Sequence, residues 1–236
     1  MFKLHIQGII ASLASATPAD VFTGSSGLYP FPASALATTI VSGSASDTAA
    51  GTGARTCKVS GLDANFMEIA EIVNLSGATP VNLVNSYLRI NKVEVLTAGS
   101  DGTNDGIISV KQSSTVVAAI AVSAGRSQMA VYTASASRAA TALKKLFVAC
   151  TNQVAGGGTF TLFTRKSGGI WQIRHVHAVY GTNCPADAFD FASPIVLDPG
   201  EDVRISATVN ANSTAVAAGF DIWEGSSTEF SNPGYV

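Results

Sequence analysis

Residues 51–110 read GTGARTCKVSGLDANFMEIAEIVNLSGATPVNLVNSYLRINKVEVLTAGSDGTNDGIISV, and the punctuation of this stretch decides the fold class. Short runs of alternating apolar and polar side chains are cut at close intervals by Gly, Asn, Asp and Pro. A period of two is the signature of a half-buried β-strand, and those four residue types supply the backbone geometry of tight turns. Arg55 to Ser60 and Phe66 to Leu75 form an expected hairpin across GLDAN. Ser86 to Leu96 is a further strand, and AGSDGTND delivers the chain to another that starts at Gly106.

The same writing continues on both sides. Thr115 to Val122 returns across Gln112-Ser-Ser as a second hairpin, and Lys145 to Thr151, Gly158 to Arg165 and Ile170 to Tyr180 supply three more strands. A Pro-Gly turn follows Asp198, and Ala217 to Trp223 closes the set. Ala134 to Lys145 is the single stretch that could hold a short helix, a marginal one because Ser and Thr compete for backbone hydrogen bonds. Upstream, Ala35 to Val41 is a strand and Gly43 to Ala54 an expected flexible loop of small residues. Residues 1–34 read as an N-terminal arm, with a strand at Lys3 to Ile9 and Pro30 and Pro32 flanking Phe31, where regular pairing is forbidden.

Ten or so short strands predict an all-β protein: a β-sandwich of jelly-roll type with an extended N-terminal arm, residues 35–236 forming a single domain. An up-and-down barrel is the competing topology. The chain has 236 residues, which suits one all-β unit. Hydrophobic residues make up 47% and charged residues only 13%, against roughly 25% in typical soluble domains. Charge on exposed edges is the usual defence against sticking, so a chain this poor in it suits an assembly better than a free monomer. The net charge of -2 gives no pull toward nucleic acid.

Cys57, Cys150 and Cys184 are too widely spaced for a metal knuckle and odd in number, so reduced thiols are expected, as in a protein made in a cytoplasm. The N-terminal apolar run alternates with His5 and Gln7, which suits a strand better than a signal peptide. No apolar run approaches the roughly 18 residues that span a bilayer as a helix.

SASDTAAGTGAR, GLDAN with a Glu-bearing strand, L-x-G-x-TPV, YLRI-x-x-V and AGS-x-GTN-x-G-x-I together resemble a family of structural proteins from virions of tailed bacteriophages. The resemblance covers residues 28–111, and LDPGEDVRISATVNAN with GFDIWEG more loosely. It implies a particle component present in several copies, made in the host bacterial cytoplasm and located in the virion. These are scaffold motifs, so no catalytic residue carries over.

His175 and His177 lie two apart on a strand and share a face with Trp171, Ile173 and Val179, a spacing that holds zinc or iron only if further ligands arrive. The acidic turns at Asp101 and Asp198 read as turn chemistry rather than calcium loops. Glu68 and Glu71, three apart on a strand, point to opposite sides and cannot act as a carboxylate pair. No histidine has an obvious carboxylate to orient it, and Cys184 reads as a small buried hydrophobe.

No catalytic residue, cofactor or metal is therefore expected. Tyr29, Phe31, Trp171 and Trp223 are the candidate interface anchors. The expected function is a non-enzymatic virion structural protein: a capsid cement or decoration protein, self-associating as a trimer and docking on the major capsid protein. One alternative is a neck or tail part such as a collar, hub or fibre attachment. The other is a carbohydrate-binding sandwich whose site is at turns 98–106 or 152–158.

Overall fold

The computed structural model describes residues 2–24, 27–151, 156–181 and 186–225. Among them no helix occurs, and the strands in chain order are β1 (Phe2–Leu13), β2 (Ala19–Asp20), β3 (Thr38–Ser42), β4 (Ala54–Leu62), β5 (Glu68–Asn74), β6 (Val81–Asn82), β7 (Arg89–Ala98), β8 (Ile108–Gln112), β9 (Thr115–Ile120), β10 (Val131–Thr133), β11 (Ala140–Thr151), β12 (Gly156–Arg165), β13 (Gln172–Gly181), β14 (Ala186–Leu197), β15 (Asp202–Val209) and β16 (Thr214–Gly225). They divide into two compact units, Met1–Tyr29 with Met129–Val236, and Pro30–Gln128.

In the first unit, one sheet has the order β1-β16-β11-β14 and the other β10-β15-β12-β13, with β2 paired to β15. Leaving aside the two-residue β2 and numbering the rest in chain order, the sheets read 1-8-3-6 and 2-7-4-5. That interleaving, with every strand pair antiparallel, is the order of a jelly roll. The two sheets share one core: Leu143, Leu146, Phe220 and Ile222 from the first pack in a single cluster with Phe160, Leu162 and Ile205 from the second. Burying each such side chain contributes about 1.5–3 kcal/mol, so this face-to-face contact is what holds the sandwich closed.

The expected boundary after residue 34 and the single domain over 35–236 do not match how the contacts divide. Residues 2–13 are no arm: β1 is an integral strand, paired with β16 from Phe2↔Glu224 to Leu13↔Thr214. Its alternation runs past Ile9, ending in buried Ile10 and Leu13, which is why it docks instead of trailing. Gly8 permits the close approach: a Cβ there would sit 1.8 Å from the Val21 carbonyl oxygen, which accepts the Ala130 amide at 2.7 Å. The unit boundary falls inside the Pro-rich segment, between Tyr29 and Pro30.

The second unit holds two antiparallel sheets, β6-β3-β8-β9 and β5-β4-β7. Both expected hairpins are present, β4 with β5 from Thr56↔Asn74 to Leu62↔Glu68, and β8 with β9. Strand β5 starts at Glu68, because Asp63 accepts the amides of Asn65 and Met67 in the turn and Phe66 takes a positive φ of 60°.

Gly43 to Ala54 is held by a buried carboxylate. Asp47 accepts the Ser42 hydroxyl at 2.5 Å and the amides of Ala54, Asp105 and Gly106 at 2.7–3.0 Å. Burial alone would push its pKa up, but those four donors outweigh it and hold the carboxyl below the usual carboxylate range. The small residues are there for this hub: a Cβ on Gly53 would lie 2.2 Å from the Asp47 Oδ1.

The helix expected over 134–145 is also corrected. Ser135 accepts the Ser137 amide in a turn, and from Ala140 the chain runs as β11 between β14 and β16. Leu143 and Leu146 are buried there, so sandwich packing overrides a weak local preference.

Candidate functional site

The two sheets of the jelly roll end, on one side, in β13 and β14. Among the described residues each is hydrogen-bonded along one edge only, β13 to β12 and β14 to β11. Strand β14 is not read in the sequence as a strand. Its signal is the alternation of Asp187, Phe189 and Phe191, masked by Pro194, and the pairing with β11 jumps from Asp190 to Ile195 around that proline. Proline cannot donate to a ladder, so an edge strand with an irregularity is where it can sit.

Side chains join the two edges. His175 stacks on Phe189 with ring centroids 4.3 Å apart and meets Phe191 edge-on at 5.6 Å. The His177 Nε2 lies 3.0 Å from the Asp187 carboxylate, and its Nδ1 faces the His175 Nε2 at 3.5 Å. Burial, then the neighbouring His177, hold His175 below the usual imidazole range. The Ala188 amide and His177 hold Asp187 below the usual carboxylate range.

Asp187 is thus the carboxylate partner of His177 that the sequence did not show, supplied from the unread strand. Both ring nitrogens of His177 are engaged, by Asp187 and by His175. No group of three His, Cys, Asp or Glu among the described residues is placed to hold a metal ion. The face shared by the histidines also differs from expectation: the register shifts between Leu162 and Phe163, opposite His175 and Ile173, so His175, His177 and Val179 turn inward while Ile173 is left out.

The outer surface of this side is apolar. Ile170, Ile173, Val176, Tyr180 and Val196 are between 52% and 80% exposed. Arg174 is the one Lys, Arg, Asp or Glu of β13, while β14 carries Asp187 and Asp190. The Asp190 carboxylate lies 3.3 Å from Lys145 of β11.

The four expected anchors lie elsewhere. Tyr29 is buried, its ring edge-on to Phe22 at 5.3 Å, and Phe31 is buried beneath the Arg89 guanidinium. Both rings lie in the interior of the chain. Trp171 is half-buried, with the guanidiniums of Arg165 and Arg204 at 4.5 and 4.3 Å from its ring. Arg165 is fixed by Asp202 at 2.6 Å, and Arg204 by Asp20 at 3.1 Å. Burial pushes the Asp20 carboxyl up, offset in part by Ser206, Arg204 and the Tyr29 amide. Trp223 is half-buried, with the Lys144 ammonium 5.9 Å from its ring.

Among the remaining candidates, Glu68 and Glu71 point to opposite sides of β5. Glu71 is occupied by the Tyr87 hydroxyl and the amides of Val84 and Asn85. In the turn near Asp101, buried Asn104 donates to the carbonyls of Gly106 and Ala121. Asp198 pairs with Lys166 at 2.5 Å. Burial pushes the Cys57 thiol up to about 12 and that of Cys150 up to about 11, which removes thiolate reactivity. Cys184 and residues 152–155 of the expected glycan turn lie outside the described residues.

No family model matches the chain, and neither does any curated protein. Among solved structures it aligns with capsid proteins of infectious bursal disease virus. The VP2 subviral particle matches at 9% identity and a TM-score of 0.23, over 94% of this chain and 69% of that one. The Gx strain matches at 11% and 0.24 over the same shares. An overlap this slight assigns neither fold nor function.

Proposed function

We propose that this chain is a non-enzymatic structural protein of a virus particle, acting through self-association and through docking on other particle proteins. The observation that carries the reading is a jelly-roll unit whose two sheets both end in long open edges flanked by exposed apolar side chains. Jelly rolls serve in viral capsids, lectins and cupins, so the strand order narrows the role without fixing it. Low charge, engaged histidines and protonated, buried thiols favour a capsid-type role over a cupin-type enzyme.

Within that reading the chain is a capsid cement or decoration protein, made in a bacterial cytoplasm, trimeric and bound to the major capsid protein. Its work is mechanical: buried contact area between neighbours, on the order of 1,000 Å² or more at each stable interface, opposes outward strain on the shell. A neck or tail location is the second reading, supported by the same resemblance to tailed-phage virion proteins. The carbohydrate-binding reading has less support, since two salt-bridged guanidiniums already lie against the Trp171 ring. Quantitative mass spectrometry of purified particles containing this chain tests the role. Hundreds of copies support cement, a dozen or fewer support neck or tail, and absence from particles contradicts both.

A further inference from the structure

We infer that the β13–β14 side is a two-fold contact with a second copy of this chain, in which β13 of each copy adds to β14 of the other. This inference rests on the self-association proposed above and gives it a surface.

Open edges are normally blunted by shortness, by charge or by covering. The opposite ends of the two sheets follow that rule. Strand β10 has three residues, and β1 is guarded by Lys3 and His5, both engaged with Asp221. Strands β13 and β14 run for ten and twelve residues, and an exposed apolar set of this size flanks them. Exposed apolar surface concentrated on one side marks a contact.

The occupant follows from direction and charge. Within one copy His175 meets Phe189 and His177 meets Asp187, so β13 and β14 run antiparallel. A two-fold axis along the strands exchanges the two sheets and keeps strand direction. It therefore brings β13 of one copy beside β14 of the other in antiparallel orientation, twice, and the contact closes on itself. The open edges of residues 172–178 and 186–192 can then be paired.

One register satisfies the side chains as well. With Val176 opposite Ala188, Ala178 falls opposite Ala186 and Arg174 opposite Asp190, all on the outer face. The single cation of β13 then meets the outward carboxylate of β14, and small residues meet at the centre. Opposite charges directly across a ladder stabilise it, and like charges destabilise it. Placing β13 against β13 would instead offer Arg174 no carboxylate across the ladder, and placing β14 against β14 would offer Asp190 no cation across it. In the trimeric reading this contact joins one trimer to the next.

Light scattering on the full-length protein, separated by size across a range of concentrations, tests the contact. Arg174→Glu and Val176→Lys change exposed side chains, so circular dichroism and melting temperature should match the wild type. Each is expected to weaken association at least tenfold, and Arg174→Glu combined with Asp190→Arg to restore it. Loss of folding cannot imitate that rescue. An oligomer whose mass and dissociation are unchanged by both single variants overturns the contact and leaves self-association standing. A wild-type protein that stays monomeric up to its solubility limit overturns both.

Discussion

Strands β16 and β13 are made of similar material and end in opposite environments. Strand β16 lies between β1 and β11, and eight of its twelve residues are buried and none is exposed, Phe220 and Ile222 being buried completely. Strand β13 carries Ile173, Val176 and Tyr180, as apolar as anything in β16, yet has one partner and leaves these side chains outside. Alternation reports that one face of a strand is buried, but a strand's place in the sheet decides whether anything covers the other. The difference separates what folds this unit from what it offers to a neighbour.

The contrast is broken most forcefully at its buried end. Phe220→Ala should cost about 3–5 kcal/mol by denaturant unfolding, because the cavity lies where both sheets meet. A cost below 1 kcal/mol would mean that the β16 face is not the core. The inserted unit has a polar counterpart in Asp47. Its replacement by Ala strands the amides of Ala54, Asp105 and Gly106, each worth about 1–3 kcal/mol when left unpaired. Limited proteolysis should then cut within 43–54, where the wild type resists; equal resistance would show that the hub does not hold the loop.

A smaller effect is expected with pH. The folded seam holds His175 below its ordinary value, so an opened seam takes up its proton more readily. Stability of the seam is therefore full above about pH 6.5 and declines as pH falls through that value toward the folded pKa. Amide exchange in β13 should rise several-fold between pH 7.5 and 5.5, after correction for intrinsic rates, and His175→Phe should abolish the rise. The smallest effect belongs to the exposed end of the comparison: Val176→Ala should change monomer stability by no more than about 0.5 kcal/mol. A large loss would place Val176 in a core.

Much of this architecture was legible in the sequence, for identifiable reasons. The hairpins across GLDAN and Gln112-Ser-Ser were readable because turn residues and alternation agree there. The jelly-roll class followed from the number and spacing of strands, whereas the strand order depends on contacts far apart in the chain. Strand β14 was lost because Pro194 interrupts its pattern, and Asp187 was lost with it. Gly43 to Ala54 looked flexible because a buried carboxylate leaves no periodic trace, and its partners Asp105 and Gly106 lie more than fifty residues away. Tyr29 and Phe31 read as interface candidates because aromatics beside prolines suit an interface as well as a core, and only packing distinguishes the two.

Hydrogen–deuterium exchange on dilute and concentrated protein addresses the central claim most directly. If copies join through the open side of the jelly roll, protection should rise in Gln172–Gly181 and in 186–191 as the oligomer forms, while β16, already paired on both sides, stays unchanged. An oligomer that forms with no added protection in β13 and β14 would contradict the account.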